Sequence, residues 1–125
     1  MYELSVEFEI SAAHHLPGYP GNCARPHGHN FRFVVYAQSE NLDSVGIAID
    51  FRDLKSATRE LEEAWDHQDL NALSDFARVA PSAENLARLA YERLSQAINS
   101  SKTRIDRVTV WESARCSATY FKPRG

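Results

Sequence analysis

Hydrophobic and polar residues alternate through the first ten positions of the chain. The apolar residues occupy the even positions, namely Tyr2, Leu4, Val6, Phe8 and Ile10. An alternation with a period of two residues predicts a β-strand that buries one of its faces. Residues 31–39 predict a second strand, and residues 105–112 and 117–121 predict two more strands later in the chain.

Between the two pairs of predicted strands, apolar residues recur every three or four positions instead. The first such set follows Asp50, a candidate helix N-cap, and comprises Phe51, Leu54, Ala57, Leu61 and Ala64. The second set follows Ser82, another candidate N-cap, and comprises Ala83, Leu86, Ala87, Ala90, Leu94 and Ala97. This order of elements predicts an α+β fold, in which a four-stranded antiparallel sheet carries two helices on one face.

Length and composition limit the class of protein. A chain of 125 residues fits a single domain, residues 1–125, with 43% hydrophobic and 25% charged residues as in ordinary globular proteins. The net charge of −3 argues against nucleic acid as the main partner, because phosphate binding needs a basic face. No apolar run is long enough to span a membrane, no basic segment opens a secretion signal, and two cysteines are too few for a disulfide framework. We therefore expect a cytoplasmic protein.

Four of the five histidines fall within sixteen residues of the chain. The alternation of the first strand, extended forwards, puts His14 on the apolar face and His15 on the opposite face. The second strand, extended backwards from Phe31, puts His27 and His29 on one face. Extended strands would therefore bring His14, His27 and His29 together, either as metal ligands or as hydrogen-bonded histidines at a sheet end. Three imidazoles favour a zinc ion with an open fourth position, although the residue types leave nickel and iron open.

Cys23 lies three residues before the His-Gly-His element. As a fourth ligand it would close a structural zinc site. Structural zinc usually draws on more than one thiolate, so we favour a free Cys23 beside an open site. A thiol next to a dication would then be a competent base or nucleophile.

Three further polar residues are candidates for chemistry. Asp66 and His67 follow the first predicted helix, where they could form an oriented acid–base pair or where His67 could simply meet the helix dipole. Glu112 continues the alternation of Val108 and Val110, which puts a carboxylate at the end of an apolar face. Such a carboxylate could receive the planar edge of an amidine-like ligand, or the strand could end and leave it exposed.

Six motifs occur in a characteristic order along the chain. They are Ser11-Ala12-Ala13-His14, Cys23-x-x-x-His27-Gly28-His29-Asn30-Phe31, Asp50-Phe51-x-x-Leu54-Lys55, Asp66-His67, Ser82-x-Glu84-Asn85 and Trp111-Glu112-Ser113. This set, which spans about residues 3–122, resembles the 6-pyruvoyltetrahydropterin synthase / 6-carboxytetrahydropterin synthase family. The resemblance implies a tunnelling fold (T-fold) that assembles into a hexamer, with active sites between subunits.

The resemblance also implies roles for individual residues. It assigns Zn²⁺ to the three histidines that strand alternation brings together. It makes Cys23 the catalytic base, completes a proton relay with Asp66 and His67, and makes Glu112 the anchor for the amino-pyrimidine edge of a pterin. The implied reaction eliminates triphosphate from 7,8-dihydroneopterin triphosphate, and Arg25 is a candidate for a phosphate contact.

The spacing of Cys23 and His27 bears on the product. Three residues separate them, as in the bacterial 6-carboxytetrahydropterin synthases of queuosine synthesis, whereas the animal pyruvoyl-forming enzymes are longer in this loop. The resemblance therefore implies a 6-carboxy product with release of acetaldehyde. The alternatives are a 6-pyruvoyl-forming synthase and a non-catalytic metal- or pterin-binding module.

Overall fold

The computed structural model describes residues 1–123, so the last two residues of the predicted domain 1–125 lie outside the described part of the chain. Four strands form one antiparallel sheet in the order β1-β2-β3-β4, and two helices pack against it. The elements are β1 (Tyr2–His14), β2 (His27–Ser39), α1 (Phe51–Trp65), α2 (Ala83–Ile98), β3 (Thr103–Trp111) and β4 (Ser117–Tyr120). This architecture confirms the predicted α+β fold.

Strands β1 and β2 pair in an unbroken antiparallel register. The pairing runs from Tyr2 opposite Ser39 to His14 opposite His27, without a bulge. Both strands are longer than predicted, because backbone pairing continues past the alternating apolar residues into the polar histidine-containing ends. The predicted buried face of β1 is confirmed from Val6 onwards, where Val6, Phe8, Ile10, Ala12 and His14 are buried. At the start of the strand the prediction is wrong for Tyr2, which is exposed, and Leu4 is only partly buried.

Helix α1 begins where the sequence predicts, and part of its predicted apolar set is buried. The Asp50 side chain accepts a hydrogen bond from the Arg52 amide at 2.8 Å, as expected of an N-cap. Of the apolar residues at helical spacing, Phe51 and Ala64 are exposed. The buried side chains of this helix are Leu54, Thr58, Leu61 and Trp65.

Trp65 is the largest buried side chain of α1. Its ring is fully buried and packs against Phe33 and Phe76, with ring centroids 5.9 and 5.5 Å away. Its indole Nε1 donates a hydrogen bond to Asp75 Oδ2 at 2.9 Å, so the largest side chain of the helix has both its apolar ring and its polar atom accommodated. These contacts fix the C-terminal end of α1 against the core.

Helix α2 begins after Ser82, whose hydroxyl accepts a hydrogen bond from the Asn85 amide at 3.2 Å. Five of the six apolar residues predicted to share a side are buried, and Tyr91 joins them. The sixth, Ala97, is exposed, while Ile98 in the same last turn is partly buried against the core. Within residues 1–123, neither helix has the length and apolar character that a bilayer crossing requires.

The alternation along β1 predicts a sharp contrast between two neighbouring positions. Ile10→Ala empties a site with no solvent exposure, so we expect the free energy of unfolding to fall by about 3 kcal/mol. Glu9→Ala changes an exposed side chain on the other face and should stay within about 0.5 kcal/mol of the parent. Urea denaturation of both metal-free variants checks this, and equal losses would contradict the assigned register.

Candidate metal centre

The paired ends of β1 and β2 bring three imidazole rings together. His14 lies opposite His27 in the last pair of the hairpin, and His29 lies opposite Ala12. The ring centroids of the three histidines are 4.5 to 5.1 Å apart. The structure therefore shows the convergence that strand alternation predicts. It follows from the register alone, since residues two apart on a strand face the same way.

Glu112 is the fourth member of this cluster. One ligand atom from each of His14, His27, His29 and Glu112 lies within 4.8 Å of the others. Glu112 Oε1 is 3.1 Å from His29 Nε2 and 3.5 Å from His14 Nε2. Glu112 directly follows β3. Since Val110 of β3 pairs with Phe33 of β2 in antiparallel register, Glu112 lies beside Phe31, two residues from His29.

Backbone carbonyls orient two of the histidine rings. His14 Nδ1 lies 2.7 Å from the Pro81 carbonyl oxygen, and His27 Nδ1 lies 2.8 Å from the Arg25 carbonyl oxygen. A carbonyl oxygen only accepts, so the hydrogen-bonding pattern assigns the proton of each neutral ring to Nδ1. The Nε2 atoms of both rings are then left with free lone pairs, which is the form in which imidazole binds metals.

The Nε2 atoms of His14 and His29 are buried and have no hydrogen-bond partner among the described residues. The carboxylate of Glu112 comes close to both, but its alignment does not meet hydrogen-bond geometry. Leaving a buried polar atom without a partner costs roughly 1–3 kcal/mol, and a bound cation would remove that cost. Desolvation, together with the neighbouring histidines, lowers the pKa of His14 and keeps its ring neutral. This donor set fits a divalent ion such as zinc.

Cys23 lies in a short 3-10 turn, Asn22–Ala24, within the loop that connects β1 and β2. It is half-buried, and its carbonyl accepts a hydrogen bond from the Leu16 amide at 2.7 Å. Its Sγ is not among the convergent ligand atoms found within residues 1–123. The fourth ligand group of the cluster is therefore the Glu112 carboxylate and not the Cys23 thiol.

Arg25 and His15 flank the cluster without adding a side-chain ligand atom to it. The Arg25 side chain is exposed, and its backbone carbonyl is what meets His27. The backbone of His15 is held by the Asn71 side chain, which accepts from the His15 amide at 2.9 Å and donates to its carbonyl at 3.1 Å. Sequence reasoning did not reveal these backbone contacts, because a carbonyl group has no residue-specific signature.

Asp66 and His67 lie along the free edge of β1. Asp66 Oδ1 accepts from the Ser11 amide at 2.8 Å, and the His67 amide donates to the Ser11 carbonyl at 2.7 Å. Asp66 Oδ2 also lies 2.9 Å from His67 Nδ1, so the two side chains are in contact. The hydrogen bond from the Ser11 amide lowers the pKa of the Asp66 carboxyl, and the contact with the His67 ring lowers it further. Asp66 is therefore an ionised acceptor that orients the His67 ring.

The His67 side chain is 81% exposed, and its backbone adopts a left-handed conformation with φ of 57°. It lines an open cleft along the edge of β1, to which His29, Gly28 and Asn30 also contribute. Cys23 is not among the described residues that line this cleft. The structure thus places His67 near the histidine-bearing strand β2.

Comparison with known proteins identifies relatives that match all or most of the chain. A 6-carboxy-5,6,7,8-tetrahydropterin synthase from Synechocystis is 33% identical, over 99% of this chain and 96% of its own length. A Bacillus subtilis protein of the same name is 31% identical over 74% of this chain and 65% of its own length. The structure of Caenorhabditis elegans 6-pyruvoyl tetrahydropterin synthase is 24% identical and superimposes with a TM-score of 0.87, covering 98% of this chain and 96% of that one.

The solved structure supports the fold, which is the T-fold expected from the resemblance, and the relatives support the family. A family model described as 6-pyruvoyl tetrahydropterin synthase matches residues 3–123, nearly the full length. The chain therefore belongs to the 6-pyruvoyl tetrahydropterin synthase family, with full-length similarity to its 6-carboxytetrahydropterin synthase members.

Proposed function

We propose that this chain is a lyase that converts 7,8-dihydroneopterin triphosphate and one water molecule to 6-carboxy-5,6,7,8-tetrahydropterin in queuosine biosynthesis, releasing acetaldehyde and triphosphate. The observation that carries the proposal is the convergence of His14, His27 and His29, two of which have buried Nε2 atoms without a partner. The 6-carboxy branch is supported by the name of the Synechocystis relative and by the three-residue spacing of Cys23 and His27.

The three histidines would hold the metal ion, which we propose to be zinc. When bound, zinc supplies a Lewis acid that polarises the oxygens of the substrate side chain. The protein contributes fixed ring orientations, because the Pro81 and Arg25 carbonyls hold the Nδ1 protons of His14 and His27. His14 and His27 can therefore bind a metal ion as neutral rings, and neither ring has to lose a proton first.

Proton transfer falls to Cys23 and His67 in this proposal. Cys23 acts as the base that removes a proton from the substrate side chain. Asp66 contacts His67 Nδ1, which leaves His67 Nε2 to exchange a proton with the reacting group. Because Cys23 does not line the cleft that contains His67, we propose that two copies of the chain complete the relay, within a homohexamer. We place this assembly in the cytoplasm.

Substrate binding is assigned to Glu112 and Arg25. The Glu112 side chain is one-third exposed at the margin of the cluster, where a ligand can reach it. Its carboxylate matches the paired N–H groups of an amino-pyrimidine edge, and three imidazoles already suffice for a catalytic zinc site. The exposed guanidinium of Arg25 is suited to a phosphate oxygen of the triphosphate.

Two other functions remain as competing candidates. A 6-pyruvoyl-forming synthase would use the same residues and eliminate triphosphate without breaking a carbon–carbon bond. A non-catalytic metal- or pterin-binding module would bind the same ligands without turnover. Product analysis separates all three.

Incubation of the purified, zinc-loaded protein with 7,8-dihydroneopterin triphosphate should yield acetaldehyde and triphosphate in equal amounts. Cys23→Ala should lower turnover by at least about 100-fold, because it removes the proposed base. Cys116→Ala changes an exposed cysteine whose Sγ is not among the convergent ligand atoms of the described residues, and it keeps the carbonyl that accepts from the Glu112 amide, so this variant should turn over like the parent. Triphosphate without acetaldehyde would instead identify the pyruvoyl-forming reaction, and absence of both products would identify a binding module.

Zinc retention distinguishes His29 from His15. We expect about one zinc ion per purified chain, and we expect His29→Ala to lose it, because the remaining histidines form an incomplete site. His15→Ala should keep the ion, since the His15 side chain is outside the convergent group. Elemental analysis after dialysis provides the measurement. Equal zinc content in the two variants would count against the assigned ligands.

Glu112→Gln separates substrate anchoring from metal binding. If Glu112 anchors the pterin, the variant should keep its zinc and show a KM raised by about tenfold or more, because a charge-assisted pair is lost. Glu63→Gln, on the exposed side of α1, is the matched control and should leave both values unchanged. Loss of zinc from Glu112→Gln would show that the carboxylate is a ligand and would refute the anchoring role.

A further inference from the structure

The Ser82-x-Glu84-Asn85 motif opens helix α2, and the proposed chemistry does not use it. In the structure, Asn85 makes two hydrogen bonds to the segment just before the helix. Its side-chain Nδ2 donates to the Ala80 carbonyl at 2.9 Å, and its backbone amide donates to the Ser82 hydroxyl at 3.2 Å. Asn85 therefore holds this segment on both sides of Pro81.

Pro81 is the residue whose carbonyl receives the His14 ring. The contact is 2.7 Å from His14 Nδ1, and both residues are buried. The proline ring fixes φ and offers no N–H, so the direction of this carbonyl depends on how the flanking peptides are held. The contacts of Asn85 with Ala80 and Ser82 restrain those flanking peptides.

We infer that Asn85 is a positioning residue for the metal centre. By holding Ala80 and Ser82 it aims the Pro81 carbonyl at His14, keeps the ring proton on Nδ1 and leaves Nε2 free for an ion. The inference rests on the proposed zinc site and extends it to a residue that contacts neither the ion nor the substrate. Hydrogen-bond partners of ligating histidines typically contribute about 10- to 100-fold in metal affinity.

An amide side chain is required for this role. The Nδ2 group is a donor, and its partner is a carbonyl oxygen, so a carboxylate at the same place would repel that oxygen. Asn85→Asp is therefore the informative substitution. An acidic residue in the first turn is favourable for the helix, so α2 should keep its stability while the Ala80 contact is lost.

Asn99→Ala provides the matched control at the other end of α2. Asn99 Oδ1 accepts a hydrogen bond from the Ile105 amide at 2.7 Å, so this variant also removes one contact between a side chain and the backbone. Zinc affinity is measured by competition with a chromophoric chelator. We expect Asn85→Asp to bind zinc about 10- to 100-fold more weakly than the parent, and Asn99→Ala to match the parent.

A second measurement determines which nitrogen of the His14 ring carries the proton in the metal-free protein. Nitrogen-15 NMR should show an unprotonated Nε2 in the parent and in Asn99→Ala, and a proton shared between both ring nitrogens in Asn85→Asp. An unchanged His14 tautomer or an unchanged zinc affinity in Asn85→Asp would overturn the inference, as would an equal loss of affinity in Asn99→Ala. If Asn85→Asp fails to fold, Asn85→Ala replaces it, because alanine keeps the Ser82 cap and suits a helix.

The two measurements also separate this inference from the proposed function. A parent protein that binds no zinc would refute the zinc site. The NMR comparison would still decide whether Asn85 controls the His14 tautomer, since it needs no metal.

Discussion

The register between β1 and β2 is the constraint on which the rest of the site depends. Side chains alternate along a strand, so a slip of one residue would turn His14 away from His27 and expose the apolar face. The stacked rings of Phe8 and Phe33, with centroids 4.5 Å apart, lie within the same hairpin. Packing in the core therefore secures the positions of the histidines at its end, and the same contacts support stability and the candidate site.

The strands alone do not complete the site, because they determine where the rings lie but not which ring nitrogen carries the proton. That choice comes from carbonyl groups outside the sheet. One belongs to Pro81, just before α2, and the other belongs to Arg25, in the β1–β2 loop. Three separate parts of the chain thus meet at the candidate metal centre, which is the kind of support that holds a site in one geometry.

The sequence predicts the parts of this arrangement that follow from local periodicity. Alternation separates His14 from His15, and spacing locates the caps Asp50 and Ser82. Alternation could not predict that Glu112 lies beside the histidines, because this depends on β3 lying next to β2, and only the family resemblance implied that they share one site. The contribution of Trp65 to the buried face of α1 was also not predicted, because its indole needs the hydrogen bond to Asp75, which local spacing does not reveal.

His67 illustrates a conflict between stability and chemistry at a single position. A left-handed backbone costs an ordinary residue roughly 1–2 kcal/mol, whereas glycine adopts it freely. Hydrogen bonds from both sides of the segment to β1 hold the conformation in place. A redesign of this chain guided by thermal stability alone would favour glycine at position 67, and the more robust protein would lack the imidazole assigned to proton transfer.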